Sequence, residues 1–158
     1  MMNRLTRLLG SMVVVLLLSA CEGPGEEAQP DSGAMLYQQH CAACHGDDGA
    51  GRGNVFPPLA GSEWLRLPPE KLAEVVLRGV AGPVIVAGRR YNGQMPAQRH
   101  LDDATLARLL NQITRQWGGA AVARFDAALV AQVRQSVGDA GPLRGPELDA
   151  LLSALTPG

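Results

Sequence analysis

Residues 41–51 read CAACHGDDGAG, with Cys41 and Cys44 three positions apart and His45 directly behind the second. Three chemistries use such a pair: a structural zinc site, a redox dithiol and covalent haem attachment. A structural zinc ion needs four tetrahedral ligands. Cys41 and Cys44 supply two, His45 is too close to Cys44 in sequence to reach the same ion easily, and no second cysteine pair exists. A thioredoxin-like dithiol opens a helix after a strand of a mixed sheet. Here a helical stretch precedes the pair and the Gly-rich residues 46–62 follow it. Haem attachment fits the surroundings. Two thiols one helical turn apart can add to the two vinyl groups of one porphyrin, the next histidine is directed at the iron, and the small Ala42 and Ala43 do not crowd the ring. C-x-x-C-H is the signature of that attachment.

The N-terminus places this motif outside the cytoplasm. Arg4 and Arg7 form a positive start, Leu8–Leu18 is an apolar run too short to span a membrane comfortably, and Leu18-Ser19-Ala20-Cys21 closes it. This segment resembles the lipobox of bacterial lipoproteins, which implies removal of residues 1–20 and a lipid on Cys21. The expected location is the periplasmic side of a bacterial membrane, with either membrane open as the anchor's site. Cys21 accounts for the third cysteine and leaves only the Cys41/Cys44 pair, so a disulfide scaffold is disfavoured. Residues 21–32 then read as a lipidated cysteine and a flexible acidic tether carrying Glu22, Glu26, Glu27 and Asp31. Removing Arg4 and Arg7 with the leader leaves 12 basic against 15 acidic residues, a net charge of −3 that sits mostly in the tether. No basic stripe of the nucleic-acid kind is present, so no nucleic-acid partner is expected.

The remainder reads as helices. Asp31 or Ser32 caps a helix from Gly33 to about His40. Pro69 and Glu70 open a second, with Leu72, Val75 and Val76 on one face and Gly79 as its stop. Residues 80–94 predict a small hairpin or an extended loop. Asp102 caps a helix with Leu106, Leu109, Leu110, Ile113 and Trp117 on one face, ended by Gly118-Gly119. A fourth helix places Val122, Phe125, Leu129, Val133 and Val137 in register, and a short last one carries Leu148, Leu151, Leu152 and Leu155. Two folding units follow: residues 33–118, and a helical extension over 119–158 expected to pack on the first.

In order along the chain, His40-Cys41-Ala42-Ala43-Cys44-His45-Gly46, Pro57-Pro58-Leu59, Asn92-Gly93-Gln94-Met95-Pro96 and the Leu/Ile/Trp helix before Gly118 resemble a class I monohaem c-type cytochrome. More narrowly, the chain is similar to lipoprotein-type or domain-fused cytochromes that serve nitrite reductases, terminal oxidases or periplasmic dehydrogenases. The resemblance implies an all-α fold around one covalent haem c, here with a small extended insertion and a C-terminal helical extension, with Cys41 and Cys44 as thioethers and His45 and Met95 as axial ligands of iron. It also implies a carbonyl near Pro57 that holds the His45 ring, and a crossing of first and later helices made close by Gly33. Met95 is expected in a polar, Gly-rich loop stiffened by Pro96, with His100 as its main rival and His40 as structural or exposed. Trp64 and Tyr91 are candidates for propionate hydrogen bonds or haem packing. Arg89, Arg90 and Arg99 flank the Met95 loop and are candidates for steering a redox partner, with a solvated loop or a propionate partner as the alternatives.

The implied function is one-electron transfer between periplasmic or membrane redox partners, with a protein donor and acceptor, a membrane contact through Cys21, and no small-molecule substrate or catalytic residue. The alternatives are a haem sensor or peroxidase-like protein with a labile sixth ligand, and an electron-transfer subunit of a larger oxidoreductase complex.

Overall fold

The computed structural model describes residues 32–119 and 124–155. Cys21 and the leader lie outside the described residues. Helix α1, Gly33–His40, begins where the Ser32 hydroxyl accepts the Met35 N–H, so Ser32 is the cap. It runs into α2, the single turn Ala42–His45. A loop and a 3₁₀ turn over Glu63–Arg66 lead to α3, Pro69–Arg78. Helix α4, Asp103–Trp117, is capped by the Asp102 carboxylate, which accepts the Thr105 N–H.

Helices α1 and α4 cross at Gly33. A Cβ there would stand 2.7 Å from Gln112 Cβ and 2.9 Å from the Arg108 carbonyl oxygen, so only glycine allows the approach. The crossing is filled by Leu36 and Tyr37 against Leu109, Leu110 and Ile113, all buried. Leu106, Leu109 and Leu110 have no exposed surface, and burying each stabilises the fold by about 1.5–3 kcal/mol. The rings of Tyr37 and Trp117 lie 4.8 Å apart, tilted by 55°.

Between α3 and α4 the chain forms an antiparallel hairpin, β1 (Val80–Val86) and β2 (Arg89–Met95), in register from Val80↔Met95 to Val86↔Arg89. The small extended insertion expected in an otherwise helical fold, a hairpin or an extended loop over 80–94, is a regular two-stranded sheet over 80–95. Val84, Ile85 and Val86 are β-formers, and Ala87-Gly88, both at positive φ, make the two-residue turn. Gly79 swings the chain from α3 into β1 at φ 71°, where a Cβ would meet the Met95 carbonyl oxygen at 2.3 Å.

The C-terminal extension is part of this core. Helix α5, Ala127–Val137, starts after Asp126, whose carboxylate accepts the Leu129 N–H. Phe125 therefore precedes the helix instead of belonging to its apolar stripe, and Val122 lies outside the described residues. Phe125 is clamped by Asn111, which donates to its carbonyl at 2.7 Å and accepts its N–H at 3.0 Å. Val130 and Val133 face inward, against α3 and α4. Helix α6, Gly145–Leu152, buries Leu148 and Leu151 in the same cluster.

Candidate functional site

The Cys41 carbonyl accepts both the Cys44 N–H at 3.1 Å and the His45 N–H at 2.9 Å, so one tight turn presents both thiols and the imidazole. The turn is fixed from both sides. Tyr37 Oη–H donates to the Gly46 carbonyl at 2.5 Å, and Gly51 N–H donates to the His45 carbonyl at 2.7 Å. The loop then folds back, with Leu59 N–H on the Gly49 carbonyl at 2.8 Å. This return delivers Pro57, whose carbonyl oxygen lies 2.9 Å from His45 Nδ1. A carbonyl only accepts, so Nδ1 carries the proton and Nε2 keeps its lone pair. Burial lowers the pKa of His45, against the opposing pull of the Pro57 bond, and this favours the neutral ring that ligates metals.

The two thiols are unpaired in the structure. Burial, helped by Cys44, pushes the Cys41 thiol up to about 12. A redox dithiol works through a thiolate with a depressed pKa, so this environment is the reverse of what that chemistry requires. Among the described residues no three His, Cys, Asp or Glu side chains are grouped to hold a metal ion, which leaves the zinc arrangement without its remaining ligands.

Cys41, Cys44 and His45 line a cleft of ≈ 1200 Å³ that opens to solvent. Pro57, Trp64, Tyr91 and Met95 line the same cleft, so it gathers every haem-contacting residue expected from the sequence. Its apolar walls come from Val75 and Val76 on α3, Val84 on β1, and Leu110 and Ile113 on α4. Met95 is the last residue of β2, paired with Val80, and so is held by a strand instead of the expected loop. The Trp64 indole N–H donates to the Ile85 carbonyl at 3.1 Å, so this group is engaged within the chain and its ring contributes packing. Tyr91 is buried beneath Arg89, whose guanidinium lies 5.9 Å from the ring centre.

The flanking cations are more occupied than expected. Arg89 donates to Asn54 Oδ1, and Arg99 donates to the Gly138 and Ala140 carbonyls of the extension. Arg99 is therefore a structural tie. His40 lines the cleft, whereas His100 is exposed beside it, with ring centres 5.4 Å apart. Gln98 was not singled out by the sequence. It is buried, lines the cleft, and its Oε1 has no partner. Nothing local marks it, because its burial comes from Val76, whose carbonyl accepts the Gln98 N–H at 2.9 Å.

An imidazole with a free lone pair, a thioether and two thiols on one apolar cleft match an iron porphyrin held by side-chain bonds. Such a cleft defines a c-type cytochrome. The chain belongs to the family described as cytochrome C oxidase, cbb3-type, subunit III, whose model matches residues 28–111, and covalently bound haem c is its cofactor. It is 42% identical over 97 residues to a cytochrome c-552 of Thermus thermophilus, covering 59% of this chain and 64% of that protein. It is 32% identical over 107 residues to the cytochrome c subunit of the alcohol dehydrogenase (quinone) of Gluconobacter oxydans, covering 67% of this chain and 22% of that one. It is also 32% identical over 98 residues to the cbb3-type cytochrome c oxidase subunit FixPc of Rhizobium leguminosarum, covering 61% and 31%. The chain thus spans just under two thirds of the first relative and a minor part of the other two.

Proposed function

We propose that the protein is a one-electron carrier of the class I cytochrome c type, exported and tethered by a lipid on Cys21. Cys41 and Cys44 hold haem c as thioethers, and His45 and Met95 take the two axial positions. Bound haem c supplies the reversible Fe(II)/Fe(III) couple. The observation that carries this reading is the 2.9 Å contact of His45 Nδ1 with the Pro57 carbonyl on the cleft that Met95 also lines. The Pro57 carbonyl fixes the ring's plane and tautomer and raises the basicity of Nε2. The Met95 thioether favours the ferrous state and raises the potential relative to a second imidazole. The apolar residues of α3 and α4 keep water from the site, and Trp64 and Tyr91 pack its rim. Donor and acceptor are redox proteins that approach the open mouth of the cleft.

A second reading has support in the names of two relatives, a dehydrogenase subunit and an oxidase subunit. In that case the chain is the electron-accepting module of a larger oxidoreductase complex. Co-purification from native membranes separates the two, since a free carrier leaves alone and a subunit leaves with its enzyme.

The axial reading is tested by absorption spectra of the reduced, haem-loaded protein with and without carbon monoxide. An unchanged low-spin spectrum means that side chains hold both axial positions. A prompt carbon monoxide spectrum would overturn the carrier and favour a sensor or peroxidase-like protein with a labile sixth ligand.

A further inference from the structure

Among the described residues, none that lines the cleft comes from the C-terminal extension, yet the extension grips the chain on both sides of Met95. On the incoming side, Leu143 N–H donates to the Gly79 carbonyl at 3.0 Å and Ala81 N–H donates to the Leu143 carbonyl at 2.9 Å. Leu143 therefore lies alongside Val80 as a third, parallel one-residue rung, while Val80 pairs on its other edge with Met95. Leu143 itself is fully buried. On the outgoing side, Arg134 of α5 binds the segment after Met95-Pro96 at three points. Its guanidinium donates to the Arg99 carbonyl at 2.9 Å, the Leu101 carbonyl at 2.6 Å and Asp103 Oδ1 at 2.8 Å. Arg99 returns the grip through the Gly138 and Ala140 carbonyls. Arg78 anchors the strap between these points, donating to the Gly141 carbonyl at 2.9 Å and to Glu147 at 2.6 Å.

We propose that residues 138–147, with Arg134 and Arg99, form a strap that holds the Met95 hairpin closed over the cleft and so sets how tightly the sixth axial position is occupied. This rests on Met95 being the sixth ligand. The strap acts at one remove: Arg134 and Leu143 are positioning residues that fix the two ends of the hairpin. A strand anchored at both ends leaves the Met95 side chain few alternative placements. Local opening of a segment tracks the bonds that tie it down, so loosening those ties exposes the position without unfolding the helices that carry the thioethers.

The test uses the full-length, haem-loaded protein and follows carbon monoxide binding to the reduced form, with thermal unfolding measured alongside. Arg134→Ala removes all three contacts, and Arg134→Lys keeps the charge opposite Asp103 but not the fork that spans two carbonyls. Both variants should keep covalent haem, and Arg134→Ala should bind carbon monoxide at least tenfold faster than the native protein, with Arg134→Lys between them. Leu151→Ala is the control, because Leu151 is buried in α6 and makes none of these bonds. At a comparable loss of thermal stability it should leave carbon monoxide binding unchanged. Equal acceleration in Leu151→Ala, or none in either Arg134 variant, overturns the strap. Met95→Ala in the same assay tests the underlying reading: if it binds carbon monoxide no faster than the native protein, Met95 is not the ligand, whatever the strap does.

Discussion

At the scale of single residues, the site is made by hydrogen bonds that reach outside the attachment motif. The Pro57 carbonyl fixes the tautomer and orientation of the part-buried His45 ring, and Tyr37 ties down the turn that carries it. The Tyr37 hydroxyl is buried against the Gly46 carbonyl, and burial pushes its pKa up to about 12, ahead of smaller effects from Cys41, Asp47 and Asp48. Tyr37→Phe leaves that carbonyl with only the longer bond from the Gly49 N–H at 3.2 Å. The expected loss is about 0.5–1.5 kcal/mol, read from denaturant unfolding of the haem-loaded protein. Met95→Ala tests the proposed sixth ligand. Covalent haem should remain, and the reduction potential should fall by on the order of 100 mV, within the roughly 0.8 V over which axial ligands set haem potentials. An unchanged potential in a titration would rule out Met95 as the ligand. Both roles could be read from sequence in part, since Met95 and Pro57 lie in recognisable surroundings. The partner of Tyr37 could not, because a bond across nine residues depends on where the loop returns.

At the scale of elements, the sequence marks what is local. Ser32 and Asp102 cap α1 and α4 because their side chains accept an N–H three residues on, and Gly79 ends α3 because the next strand leaves at positive φ. The stripe from Leu106 to Ile113 is visible as a helical period. What no local pattern marks is how the extension joins. The register expected for α5 holds at Val133, which is buried, whereas Phe125 is buried ahead of the helix and the other inward residue is Val130, outside that register. Leu143 belongs to none of the apolar stripes, and it is a rung beside Val80. Arg78, in the last turn of α3, is buried between Glu74 and Glu147. That last junction gives a pH dependence. The hydrogen bond from Arg78 lowers the pKa of Glu147 below its ordinary 4.5. A depressed carboxylate contributes stability that is fully present above the unfolded value and is lost as pH falls through the folded one. The melting temperature of the native protein should therefore drop more steeply below pH 4.5 than that of Glu147→Gln, which cannot titrate there. Parallel curves for the two proteins would show that the ion pair does not couple α6 to α3.

At the scale of the whole molecule, the proposed carrier joins a small haem-binding unit to a lipid on Cys21 by a short stretch of chain. Among the described residues no helix is long and apolar enough to cross a membrane. In the carrier reading the membrane contact is the lipid on Cys21, outside those residues. Eleven residues separate Cys21 from Gly33. However they are arranged, they can span at most about 40 Å, so the anchor would hold the cleft within that distance of the bilayer. Confinement of this kind raises the effective concentration of a membrane-bound partner without any new contact. It also makes a sharp prediction. Acyl chains on one cysteine bind through about 0.8 kcal/mol for each buried CH₂, so replacing that cysteine removes the attachment while leaving the haem cleft untouched. Cys21→Ser, expressed with haem attachment intact, should move from the membrane fraction to the soluble fraction and remain red, with the same reduced absorption spectrum. Electron transfer to a partner in native membranes should then become dependent on the concentration of the released protein. If the variant stays with membranes after a high-salt wash, something other than a lipid on Cys21 holds it, and the docked enzyme of the subunit reading becomes the leading explanation.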